Sequence, residues 1–205
     1  MKISRFQRSA HARNIGSLLV RVLYRAQVVG LHNVPTNRGI LVVASGIGST
    51  GLILVKSMLP RPSHALVNAQ IPDLGGELPL SAPYSIDSQL EALDVLRGGG
   101  AIVCDLHLLD PGFLINESQA LVIPVAVWTT SQAGDLSEWS SKVPAVGSAV
   151  SVYFGQGKNP SEAGTPESLQ GGRVRANRFA SEWCRQILQD HRQMVLHRLG
   201  GRAAQ

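Results

Sequence analysis

The sequence is poor in several things. Only two cysteines occur, Cys104 and Cys184, 80 positions apart and in no metal-like spacing. That pattern suits two reduced packing thiols and excludes a disulfide scaffold. Aromatic residues make up 5% of the chain and no nucleic-acid recognition motif appears, so nucleic acid is set aside as a partner. Long apolar runs are missing too. Residues 39–55 are uncharged, but Ser45, Gly46, Gly48, Ser49, Thr50 and Gly51 interrupt them, and a spanning helix needs about 20 mostly apolar residues. The short apolar stretch near Leu18–Val22 has no small-residue cleavage site after it, so no secretory signal is expected. Acidic residues are absent from positions 1–72.

What is present is a globular composition with polarised charge. In 205 residues, 44% are hydrophobic and 16% charged, enough for one globular domain with its own core. Residues 1–72 carry nine basic side chains, 73–172 three basic and twelve acidic, and 173–205 seven basic and two acidic. Such asymmetry directs one face towards an anionic surface.

The period of the apolar residues changes along the chain. Ile15, Leu18, Leu19, Val22, Leu23 and Ala26 repeat at helical spacing with Arg21 and Arg25 opposite. Residues 1–27 are therefore expected to form a basic amphipathic helix, either packed on the core or lying in a membrane interface. Arg13, Leu18, Arg21, Val22 and Arg25 are its membrane-contact candidates. Residues 28–205 are expected to form a single α/β domain with a largely parallel central sheet flanked by helices. Strands are expected at 28–31, 39–44, 65–69, 101–104, 121–127 and 150–154, and helices at 52–59, 86–97 and 173–199, with loops at 129–147 and 155–172.

Four stretches, in order over residues 28–157, resemble the glycerol-phosphate/lysophosphatidate acyltransferase family. Val29-Gly30-Leu31-His32-Asn33-Val34-Pro35 with the strand 39–44 is similar to its entry turn and first buried strand. Residues 93–103 look like the helix, glycine turn and strand before its third block. Leu121-Val122-Ile123-Pro124-Val125-Ala126-Val127 resembles its fourth block, and residues 150–155 its late strand.

The resemblance implies an acyltransferase-like fold, an acyl-CoA or acyl carrier protein donor, a lysophospholipid acceptor and no required cofactor. It also implies a histidine five residues before an aspartate at a helix start. The histidine takes the acceptor's hydroxyl proton, and the aspartate orients the ring. Here Gly46 and Gly51 hold those positions. The expected protein is therefore a degenerate, peripherally membrane-associated cytoplasmic homologue that binds acyl lipid or acyl thioester, with a catalytic partner protein as one option.

Two alternatives stay open. Asp105, His107 and Asp110 near the third block are candidates for a relocated base and its carboxylate, giving an active acyltransferase. Alternatively Ser45, Gly46, Gly48, Ser49, Thr50 and Gly51 are a ligand-binding loop. Gly46-Ile47-Gly48-Ser49-Thr50-Gly51 has the G-x-G-x-x-G form of a nucleotide fingerprint, with glycines that let phosphates approach the backbone. No acid ends the following strand, as that fingerprint requires.

Overall fold

A computed structural model describes residues 24–66, 86–107, 110–130, 136–139, 147–163 and 172–203. The expected helix at 1–27 lies outside the described residues apart from its last positions, of which Tyr24 and Arg25 form a turn and Gln27 starts a strand.

The strands are β1 (Gln27–Val29), β2 (Ile40–Ala44), β3 (Ser63–Leu66), β4 (Ala101–Asp105), β5 (Leu121–Thr130), β6 (Leu136–Glu138) and β7 (Ala149–Phe154). They form one sheet in the order β1-β7-β5-β2-β4-β3, with β6 added to β5. β2 runs parallel to both β4 and β5, β3 parallel to β4, and β1 parallel to β7; among the described strand pairs β5–β6 and β5–β7 are antiparallel. The chain is thus α/β with a mostly parallel sheet, as the alternation of strand and helix patterns requires.

β2 and β4 are buried at every position, the mark of parallel strands covered on both faces. Successive side chains alternate between two cores. Ile40, Val42, Ala44, Ala101 and Val103 meet Leu52, Leu54, Val55 and Met58 of α1 (Gly48–Met58) on one face. Leu41, Val43, Ile102 and Cys104 meet the other three helices on the opposite face. These are α2 (Ile86–Arg97), α3 (Gly112–Ser118) and α4 (Gly172–Ala203). β7 is half-covered, with Val150, Val152 and Phe154 inward. α4 presents Ala180, Ser181, Cys184, Leu188, His191 and Val195 as its buried stripe, the i, i+3, i+4 spacing of an amphipathic helix.

The structure moves several expected boundaries. α1 begins at Gly48, so the stretch read as a glycine turn supplies the first helical turn. The third strand is Ser63–Leu66, two residues earlier than expected at its start. A short strand, β6, and a 3₁₀ turn at Pro160–Ala163 lie within the stretches read as loops. Leu90 of α2 is 48% exposed. Gly99, at φ +81, lets the chain reverse after α2, the left-handed stop that glycine favours.

The Gly30–Pro35 turn has a local cause. Gly30 sits at φ +80, and a Cβ there would lie 2.1 Å from the Phe154 carbonyl oxygen, while the Asn33 side-chain amide donates to that same oxygen at 3.0 Å. A single carbonyl at the end of β7 thus explains two residues of the turn. At the amino ends of the strands, Arg61 donates to the carbonyls of Pro35 (3.0 Å), Arg38 (2.7 Å) and Gly99.

Candidate functional site

The chain leaves the carboxyl ends of β2 and β4 in opposite directions, to α1 on one face and to α3 on the other. Adjacent parallel strands with diverging exits open a crevice between them, where open α/β sheets place ligands. Both loops named by the sequence meet there: Ser45–Ile47 after β2, and the segment from Leu106 after β4.

Asp105 ends β4 and is 1% exposed. It stands on the α1 face of the sheet, as do Val103 and Ala101 two and four residues earlier. One carboxylate oxygen accepts from the backbone N–H groups of Gly46 and His107, the other from that of Gly48, each at 2.9 Å. Gly46 and Gly48 adopt φ +72 and +60, the left-handed region that glycine enters at no steric cost. The G-x-G pair thus lets the backbone turn its amides inwards, onto a carboxylate of the same chain. Of the other loop candidates, Ser45 is half-buried and Ser49 and Thr50 lie in the first turn of α1. A Cβ on Gly51 would come within 2.6 Å of the Ile47 Cβ.

His107 is exposed. Its Nε2 and Cδ2 are the atoms closest to a Cβ built on Gly46, at 3.9 and 4.0 Å, so the imidazole borders the space that a residue-46 side chain would enter. Asp110 is committed elsewhere. One of its oxygens accepts from the Gly112 N–H at 3.0 Å and from the Ser181 hydroxyl of α4. Next to it, Gly112 lies so close to α4 that a Cβ would fall 2.0 Å from the Asn177 carbonyl oxygen. Asn116 and Asn177 bond side chain to side chain at 2.9 Å across the same seam. The structure therefore brings His107 to Gly46 and Asp105 to both loops. Asp105 meets His107 through the backbone amide alone, and no hydrogen bond links Asp110 to the His107 ring.

The roles of Ser181 and Asn177 were missed by sequence reasoning, because a serine and an asparagine inside a helical pattern carry no mark of their distant partners. For Asp105 a signal did exist: an acid closing a fully apolar strand must find donors at the neighbouring strand's exit.

Three further titratable groups are buried. His191 is buried, with Nε2 3.0 Å from the Tyr153 carbonyl oxygen, and burial lowers its pKa. Cys104 and Cys184 are buried free thiols. Burial pushes Cys104 well up and Cys184 to about 12, which leaves both as unreactive thiols. Among the described residues no group of three or more His, Cys, Asp or Glu is placed to hold a metal, and no helix is long and apolar enough to cross a membrane. A groove of about 500 Å³, lined by Arg38, Leu96, Arg97 and Gln119 among others, opens at the amino ends of the strands, opposite the crevice.

No protein-family model matches the chain, and no curated protein matches it in sequence. Among solved structures it is similar to the crystal structure of the 1-acyl-sn-glycerophosphate (LPA) acyltransferase PlsC from Thermotoga maritima. The match has a TM-score of 0.55 at 14% identity and covers 89% of this chain and 80% of that one. The chain has an acyltransferase-like fold.

Proposed function

We propose that the protein binds an acyl thioester or a lysophospholipid at the crevice between the ends of β2 and β4, and that it has lost the family's usual transfer chemistry. The observation carrying this reading is the backbone at positions 46 and 51. Gly46 has a left-handed φ that penalises any side chain, and at Gly51 the Ile47 side chain fills the space an aspartate would need. Position 51 therefore lacks more than a carboxylate, because its surroundings have closed around glycine, whereas position 46 keeps room for a side chain but has a backbone that disfavours one. Loss of a general base alone lowers a rate by about 10²–10⁴.

A second reading, an active acyltransferase, is favoured by one contact: the His107 ring beside Gly46. In it His107 takes the acceptor's proton with Asp110 as the carboxylate, one oxygen of which Gly112 and Ser181 already engage. The nucleotide reading is not carried further, because two amides of its loop are bonded to Asp105.

Acyl-CoA and lysophosphatidate offered to the purified full chain separate the two readings. The binding reading expects thermal stabilisation by acyl-CoA and no turnover above the uncatalysed rate. Turnover that disappears in His107→Ala would establish the active reading instead; the absence of both stabilisation and turnover would remove both.

The basic segment 1–27 suggests that the ligand is met at an anionic membrane, with Arg13, Arg21 and Arg25 facing the head groups and Leu18 and Val22 the acyl layer. Flotation with anionic vesicles should then weaken as salt rises and in Arg21→Glu/Arg25→Glu. Equal flotation with neutral vesicles at high salt would exclude the electrostatic part.

A further inference from the structure

We infer that Asp105 is a built-in anion: it fills an amide cradle at the crevice and closes that cradle to phosphate. The crevice floor therefore meets its ligand through an uncharged group, a carbonyl or a hydroxyl. This inference concerns the cradle alone and stands whether or not the ligand is an acyl lipid.

Backbone N–H groups converging on one point at a sheet's carboxyl edge form an anion-binding concavity. Three such groups converge here, from two chain segments, and all three point at Asp105 at 2.9 Å. The carboxylate is 1% exposed, and its tether to β4 makes it an anion that cannot diffuse away. A phosphate approaching the same amides finds them already bonded and meets a like charge at contact distance, which is strongly unfavourable at a buried site. The left-handed φ values of Gly46 and Gly48, which would bring those amides to a ligand's phosphate, here bring them to Asp105. The same bonds hold the backbone of His107 against the Gly46 turn.

The test compares the full-length wild type with Asp105→Ala and Asp105→Asn. Tm is measured in chloride, formate, inorganic phosphate and pyrophosphate at matched ionic strength. Asp105→Ala empties the cradle. It should melt lower in chloride and recover at least about 2 °C more than wild type or Asp105→Asn when formate or phosphate is present. Equal anion effects in all three proteins, or a larger phosphate effect in the wild type, would overturn the inference.

Should Asp105→Ala fail to fold, amide exchange in Asp105→Asn decides. Whichever way the asparagine turns, its NH₂ group faces one of the three amides, so at least one of Gly46, Gly48 and His107 should exchange about tenfold faster or more. Unchanged protection at all three positions would equally overturn it.

Discussion

The Nε2 atom of His107 stands 3.9 Å from the point a Cβ on Gly46 would occupy. The ring comes from the loop after β4 and the glycine from the loop after β2, so the contact spans the two exits that form the crevice. An imidazole thus borders position 46, although position 46 itself carries none.

This relation predicts that the missing pair cannot be restored by substitution. Gly46→His places an L-residue at φ +72, costing about 1–2 kcal/mol, and directs its side chain towards the His107 ring. Gly51→Asp adds a Cβ 2.6 Å from that of Ile47, an overpacking that costs about 1–3 kcal/mol. The double variant should unfold at lower denaturant in a urea titration and show no gain in acyl transfer from acyl-CoA. A gain in turnover would show that the glycines alone had silenced the site.

The entry turn offers a second prediction. Asn33→Ala removes the donor to the Phe154 carbonyl and should cost about 1–2 kcal/mol. Gly30→Ala should cost more, since its Cβ would meet that oxygen at 2.1 Å and both atoms belong to backbone. Urea midpoints at constant slope give the order; equal effects would mean that the turn relaxes away from β7.

Much of this architecture was legible in the sequence. The strands 39–44, 101–104 and 121–127 declared themselves as short runs rich in β-branched residues between turn residues, the form of strands buried on both faces. The turn at Gly30 to Pro35 was legible through its resemblance, and the shared carbonyl of Phe154 now gives it a physical reason. The start of α1 was less legible. Gly48, Ser49, Thr50 and Gly51 have poor helix propensity, and the helix at these positions is maintained by packing of the Leu52, Leu54, Val55 and Met58 turns on the sheet, a tertiary override of local preference.

At the site, the residue types were visible and their pairings were not. Asp105 and His107 alternate along the chain and invited a side-chain couple, yet Asp105 spends its oxygens on amides 59, 57 and 2 positions away. Asp110 reaches Ser181, 71 positions on. A lone sequence records no distance between such residues.

Arg61 carries a third prediction. Its guanidinium ties the loops of Pro35, Arg38 and Gly99 together. Arg61→Ala should destabilise by about 2 kcal/mol. Arg61→Lys should recover little of that, because one ammonium cannot reproduce the planar fork. Thermal melts of the two variants check this, and a lysine that restores the wild-type Tm would refute it.

The fourth concerns pH. Burial lowers the His191 pKa from its ordinary value of 6.5, and the nearby Arg198 cation on α4 adds to the effect, while the bond to the Tyr153 carbonyl opposes it. That carbonyl only accepts, so the neutral ring donates from Nε2. Around Nδ1, Gly155 is packed so closely that a Cβ there would lie at 2.8 Å. Because the unfolded chain takes up this proton at higher pH than the folded one, the His191 contribution is complete above about pH 6.5 and declines as pH falls through that value towards the folded pKa. Urea midpoints from pH 8 to 5 should fall less steeply in His191→Gln than in wild type. Parallel curves would assign the acid sensitivity to other groups.

The pairing of β5 has a further consequence. Its first four residues lie against β2, its last six against β7 and its last three also against β6, while Val122 exchanges backbone bonds with Lys158. The β2-β4-β3 half and the β1-β7 half of the sheet are thus sewn together through one strand, and neither half can peel away without opening it. Amide protons of the buried stretch Val122–Val127 therefore report on opening of the whole molecule, and deuterium should reach them last.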